Sequence, residues 1–220
     1  MKKLLVLVAV ISILPGNGFA RDFKLFVGAN AGVSGIILSS AAKDATHDDN
    51  GVTIMDLPTS FFGLGADFGM VFVQRGIYSY GATAAFDYMF DSSADISTTY
   101  KSIISKTKVG FSVFSATFDN YLRIYEKADI RQDVVLGLGL ANIHERLQMT
   151  PTANGITNYG MRDVDETDDG IAIAFKAAYN VRIGNHEGYI SGRYFLPVDG
   201  DNDRDIDGLF NLNIGLRYLF

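Results

Sequence analysis

The sequence contains no cysteine and no tryptophan, and only 4 prolines among 220 residues. Without cysteine there is no disulfide framework, no thiolate metal site and no cysteine nucleophile. Positive charge is also short: 19 Lys and Arg stand against 25 Asp and Glu, for a net charge of −6. A chain with a pI near 5.0 and no basic stripe is not expected to bind nucleic acid, because nothing on it can neutralise a run of phosphates. Long apolar runs are missing as well. After residue 20 no segment approaches the ~18 apolar residues of a spanning helix. The longest, Val134 to Ala141, is interrupted by Gly137 and Gly139.

What is present points away from disorder. Apolar residues make up 48% and charged residues 20%, enough to bury a core. The mean hydropathy of +0.14 is high for so acidic a chain. The first twenty residues explain a small part of it. Lys2 and Lys3 precede an apolar stretch from Leu4 to Leu14, then Gly18 and Ala20. A positive start, a short apolar segment and a small-x-small end describe a secretory signal, residues 1–20, cleaved before Arg21. As a helix the apolar stretch spans only ~16 Å, too short for a ~30 Å bilayer core. No cysteine follows, so a lipoprotein is not expected. Residues 21–220 are expected to form one domain.

That domain alternates with a period of two. Phe210, Leu212, Ile214, Leu216, Tyr218 and Phe220 share one parity, with Asn211, Asn213, Gly215 and Arg217 on the other. Such a pattern places the two sets on opposite faces of a strand. It recurs at Phe62 to Phe72, Tyr78 to Phe90, Val134 to Leu140 and Ile171 to Ile183, and more weakly at residues 23–34 and 188–196. Residues 108–124 begin on one parity (Val109, Phe111, Val113) and continue on the other (Phe114, Phe118, Leu122), which predicts a bulge or a shifted register. The total is eight strands of roughly 9 to 15 residues. Soluble strands average about 5 to 6, whereas a tilted membrane strand needs ~9 to 11.

The connections alternate too. Those at about 35–60, 91–107, 143–169 and 197–208 are long or intermediate; those at 74–77, 125–129 and 184–187 are short. Short periplasmic turns and longer external loops produce this parity in a membrane barrel. The fold expected is therefore all-β: an eight-stranded antiparallel up-and-down transmembrane β-barrel. Residue size decides which face is which. The polar parity is rich in glycine and small residues, as a narrow interior demands, and the apolar parity is bulky, with Tyr78 and Tyr80 near one end of a strand and Phe86, Tyr88 and Phe90 near the other. The inward set would then include Asp67, Asp87, Asp133, Lys176, Arg182, Arg193 and Arg217, expected to pair into a plug rather than line an open pore.

The sequence ends Asn213-Ile214-Gly215-Leu216-Arg217-Tyr218-Leu219-Phe220. Asn213, Gly215, Tyr218 and Phe220 resemble the C-terminal signal of bacterial outer-membrane barrels. With the other features, the mature chain resembles the small outer-membrane protein superfamily of OmpA-like, OmpX-like and opacity-type adhesin barrels. The resemblance is architectural. It implies a Gram-negative outer-membrane location, contact with outer-membrane lipid and lipopolysaccharide, and recognition of the C-terminal signal by the barrel assembly machinery. It implies a monomer with a role in envelope structure, adhesion, or contact with a host or surface ligand, as a surface antigen. A porin-like channel for small solutes is the competing reading, and a peptidoglycan-binding domain is not expected.

Most of the acidic residues fall in the proposed external loops, where like charges keep a segment solvated. In the last loop Asp199, Asp201, Asp203, Asp205 and Asp207 recur at every second residue. Hard oxygen donors so spaced can wrap Ca²⁺ weakly, but the twelfth position from Asp203 is Ile214, not the bidentate glutamate of an EF-hand. No other cofactor is expected. Some barrels of this class modify lipopolysaccharide, and the chain's three histidines are the candidates for such catalysis. His47 lies in an acidic loop and His186 in a periplasmic turn, whereas His144, followed by Glu145, sits near the external rim. No strand serine stands in a recognisable sequence pattern with His144, so an enzyme is not the expected reading.

Overall fold

A computed structural model describes residues 23–38, 60–72, 77–98, 103–153, 156–157, 164–198 and 206–220. The proposed signal, His47 and Asp199 to Asp205 lie outside these residues. Eight long strands run in chain order: β1 (Phe23–Leu38), β2 (Ser60–Phe72), β3 (Tyr78–Thr98), β4 (Ile103–Lys127), β5 (Ile130–Ala153), β6 (Val164–Ile183), β7 (His186–Pro197) and β8 (Ile206–Leu219). A two-residue strand, Ile156–Thr157, pairs on the end of β5. Each long strand pairs antiparallel with the next, and β8 pairs with β1, so the sheet closes on itself. Around the closed ring each of the eight strands has a partner on both sides, which is what backbone amides in a bilayer require.

Two turns at one end of the barrel are tight. Ala128 and Asp129 join β4 to β5, and Gly184 and Asn185 join β6 to β7. Gly184 takes φ +60, the left-handed conformation that two-residue hairpins need and glycine adopts without a Cβ penalty. At the chain's end the Phe220 amide donates to the Leu25 carbonyl at 2.9 Å, extending the seam between β8 and β1.

Alternation does the rest. On β8 the outward residues Leu212, Ile214 and Leu216 are 52%, 66% and 73% exposed, while Asn211, Asn213 and Arg217 are buried. Leu136, Leu138 and Leu140 form the same apolar stripe on β5. So many exposed apolar side chains around a closed wall would be untenable in water. They form a belt for lipid. Aromatics mark its borders: Phe62 stacks on Phe90 with centroids 6.0 Å apart, and Tyr218 meets Phe220 edge-on at 5.0 Å.

Two expectations need correction. First, β4 has no parity break between Val109 and Tyr121; Val109, Phe111 and Val113 point inward with Ser115, Thr117 and Asp119, and Phe114, Phe118 and Leu122 point outward. The register slips at two other places: on β3 between Met89 and Ser92, opposite Phe111 and Val109, and on β4 between Arg123 and Tyr125, near the turn into β5. The inward trio looked like a lipid-facing stripe because it belongs to an apolar layer inside the barrel, with Phe61, Met89, Phe195 and Leu209. Second, residues 91–98, 103–107, 143–153 and 164–169 are not loops but continuations of β3, β4, β5 and β6. Beyond the membrane both faces of a hairpin are wet, so alternation fades while the hydrogen-bond ladder continues.

Candidate functional site

The lumen is filled in layers. An apolar layer toward the external end comprises Phe61, Met89, Val109, Phe111, Val113, Phe195 and Leu209 with small alanines. A second, toward the periplasm, comprises Phe26, Val71, Tyr121, Val135, Ala178 and Leu219. Charged groups meet between and around them. All seven expected luminal charges point inward. Asp67, Asp87, Asp133, Lys176, Arg193 and Arg217 are buried, and Arg182 is half-buried.

Three ion pairs organise this interior, and β2, β3 and β4 supply the acids while β6, β7 and β8 supply the bases. Lys176 Nζ donates to Asp119 Oδ2 at 2.6 Å and to Thr83 Oγ1 at 3.1 Å. Asp119 also accepts from the hydroxyls of Thr83 at 2.5 Å and Thr117 at 2.8 Å. Arg217 Nε donates to Asp67 Oδ2 at 2.5 Å, and its NH1 donates to Glu187 Oε1 at 3.1 Å. Arg193 pairs with Asp87 across the barrel's width. The Arg217 guanidinium also lies over two rings, 4.6 Å from the Phe26 centroid and 4.1 Å from that of Tyr189, and both contacts are cation–π in character.

The first two pairs share one device. Asp119, Gly137 and Lys176 stand in one cross-strand row over β4, β5 and β6. Asp67, Gly28 and Arg217 stand in another over β2, β1 and β8. A Cβ at Gly137 would collide with the Asp119 carboxylate, and one at Gly28 with Asp67 and Arg217. Each glycine leaves a trough through which acid and base meet across the intervening strand. A fourth pair sits toward the periplasm, where Arg131 Nε donates to both oxygens of Asp133 at 2.7 and 2.8 Å.

Asp119, Arg131 and Glu187 were missing from the expected luminal set. Asp119 was hidden by the misread register of β4. Arg131 lay on the inward parity and could have been named. Glu187 was placed in a turn, but it is the second residue of β7 and is buried. With them, Asp67, Asp87, Asp119, Asp133 and Glu187 stand among Lys176, Arg131, Arg182, Arg193 and Arg217 inside the barrel. Phe26, out of pattern in the sequence, is the ring beneath Arg217.

The C-terminal residues divide by face. Asn213 and Gly215 point inward, Tyr218 and Phe220 outward. Deleting Phe220 is expected to lower the yield of folded barrel in the outer membrane, measured by surface protease protection; an unchanged yield would remove its assembly role. Of the acidic run, Asp207 is exposed at the start of β8. Among the described residues no cluster of three metal-ligating side chains forms.

His186 meets the Tyr218 ring edge-on at 5.3 Å. His144 is placed differently from its sequence neighbourhood. Its partner is not Glu145 but Asp169 on β6, with Nδ1 2.9 Å from Asp169 Oδ1. On the other flank β4 sets Ser112 directly opposite His144. That serine lies 32 residues away in the sequence, and only the β4–β5 register reveals it.

No protein-family model matches the chain, and no curated protein sequence matches it. Among solved structures it is similar to Ail, the attachment invasion locus protein of Yersinia pestis, at 13% identity over 91% of this chain and 100% of that one, with a TM-score of 0.48. It is also similar to Neisserial surface protein A, at 11% identity over 89% and 97%, with a TM-score of 0.47. The outer membrane protein OprG from Pseudomonas aeruginosa is a third, at 11% identity over 90% and 95%, with a TM-score of 0.48. These likenesses carry no functional argument, and the assignment rests on the chain's own geometry. A closed ring of eight antiparallel strands, apolar outside and charged within, makes this chain a small transmembrane β-barrel.

Proposed function

We infer that this barrel is a non-conducting outer-membrane protein whose role lies at its external face, in envelope structure or in adhesion and contact with a surface or host ligand. One observation supports the reading above others: paired charges and two apolar layers fill the lumen. An eight-stranded interior is just wide enough for side chains, and each pair stays neutral only while both partners stay together. Nothing passes without breaking them. The surface left for recognition is the external end, where Asp168, Asp169 and Asp207 are exposed. Outer-membrane lipid and lipopolysaccharide are its proposed neighbours and the assembly machinery its route there. Weak Ca²⁺ binding by the acidic run from Asp199 to Asp207 is a proposal for calorimetry.

The purified barrel in planar bilayers is expected to show no steady conductance. Stable, reproducible channels would overturn the closed-lumen reading in favour of solute transport. Comparing surface attachment of cells with and without the protein then separates adhesion from passive envelope structure. Attachment unchanged by deletion favours the structural role.

A further inference from the structure

The outward face of the barrel changes character just above its lipid belt, and there three neighbouring strands hold a serine, a histidine and an aspartate in one row. Ser112 on β4 faces His144 on β5, and His144 faces Asp169 on β6. Two residues toward the periplasm, the next outward row is Phe114, Asn142 and Ile171; the one after is Ala116, Leu140 and Ile173. The three polar groups therefore occupy the first largely polar tier, about 7 Å above the first belt residues. On the side where the long connections lie, a site at this tier would meet the ester that joins the acyl chain of an outer-leaflet lipid to its headgroup.

The local chemistry suits that bond. His144 Nδ1 is 2.9 Å from Asp169 Oδ1. In the tautomer whose Nδ1 proton faces the Asp169 carboxylate, Nε2 is free to act as a base. Side chains directly opposite in an antiparallel pair have Cβ atoms about 4.5–5.5 Å apart, which sets Ser112 within a side-chain rotation of the imidazole. The Ser112–His144 hydrogen bond is not formed among the described residues; such bonds commonly tighten only with substrate in place. Asn142, next below His144 on the same face, donates to the Gly170 carbonyl at 3.3 Å, and its amide has a second N–H for a developing oxyanion. Lys108 and Arg146 lie on the same outward parity further out and are exposed, where a lipid phosphate would sit. Phe114 and Ile171 supply apolar surface for the acyl chain.

We propose that Ser112, His144 and Asp169 form a hydrolytic site for fatty-acyl esters of the external leaflet. Ser112 Oγ attacks the ester carbonyl carbon and its proton passes to His144 Nε2. The bond from the carbonyl carbon to the alcohol oxygen breaks, and the alcohol leaves with the proton from His144. The acyl-Ser112 ester then reacts with water, which gives a proton to Nε2 as its oxygen attacks. Fatty acid is released and the proton returns to Ser112 Oγ. Asp169 holds the imidazole and stabilises its positive form. This role goes beyond the surface reading above and depends with it only on which end faces outward. A conducting barrel would overturn the closed lumen and leave this site standing.

The refolded barrel is to be treated with a fluorescent fluorophosphonate, which reports an activated serine. The wild type is expected to label, Ser112→Ala not at all, and His144→Gln at least ~100-fold more slowly, with β-sheet circular dichroism showing that both variants are folded. Fatty-acid release by mass spectrometry from phospholipid vesicles, with and without lipopolysaccharide, identifies the lipid: release from plain vesicles assigns a glycerophospholipid, and release only in the second assigns lipopolysaccharide. A wild type that neither labels nor releases fatty acid overturns the proposal. So does labelling that persists in folded Ser112→Ala. If either variant fails to fold, the probe-modified residue is mapped in the wild-type protein, and modification elsewhere than Ser112 has the same consequence.

Discussion

Arg217→Met is expected to destabilise the refolded barrel by about 3–5 kcal/mol, read from its urea unfolding transition. Methionine fills much of the volume of the arginine stem but removes the charge. Asp67 loses its guanidinium partner, and Glu187 keeps the amide of Asn180, which donates to it at 2.9 Å, and the charge of Arg182 opposite it on β6. Both carboxylates stay buried, so the Asp67 charge is left without its counter-ion and that of Glu187 is less well offset. The rings of Phe26 and Tyr189 also lose the cation between them. Lysine is not expected to restore the wild type, because a point charge reproduces neither the two-acid fork nor the stacking. Adding Asp67→Asn to Arg217→Met should recover part of the loss, and the double-mutant cycle measures the coupling. A single-variant loss under 1 kcal/mol would mean that this pair does not hold the plug together.

Leu138→Arg is expected to cost about 2–4 kcal/mol in a lipid-bound barrel, the cost of an arginine at the bilayer midplane. Leu138 is 57% exposed at the centre of the Leu136–Leu140 stripe. In a water-soluble barrel the same exposed position would tolerate arginine within about 0.5 kcal/mol. Gln148→Arg, on the same outward parity beyond the belt, serves as the control and is expected to cost about 0–1 kcal/mol. Folding into vesicles followed by tryptic accessibility and urea titration reads both. Equal, small losses at the two positions would contradict a lipid-facing belt.

Much of the architecture was legible because a strand in a lipid-facing wall must alternate. The outward runs of β2, β3, β5, β6 and β8 are each written in one continuous stretch of sequence. Legibility failed where the interior turns apolar, since Val109, Phe111 and Val113 have the same composition as a lipid-facing stripe. It failed again above the membrane, where β3 reaches Thr98 and β5 reaches Ala153 without the alternation that reveals a strand. Asp119 was lost with the register of β4, and Glu187 was mistaken for part of a turn because β6 and β7 are joined by only Gly184 and Asn185.

Alone, the sequence determined the strand number and, on β2, β3, β5, β6 and β8, the face each side chain takes, because parity is a property of one chain segment. Partnership is not. Register relates two segments, and closing β8 onto β1 sets it around the whole ring. Only that closure decided that Gly28 lies between Asp67 and Arg217, that Gly137 lies between Asp119 and Lys176, and that Arg193 reaches Asp87 across the barrel. The same holds for Ser112, His144 and Asp169. They are remote from one another in sequence, and two adjoining ladders of backbone hydrogen bonds bring them into one row.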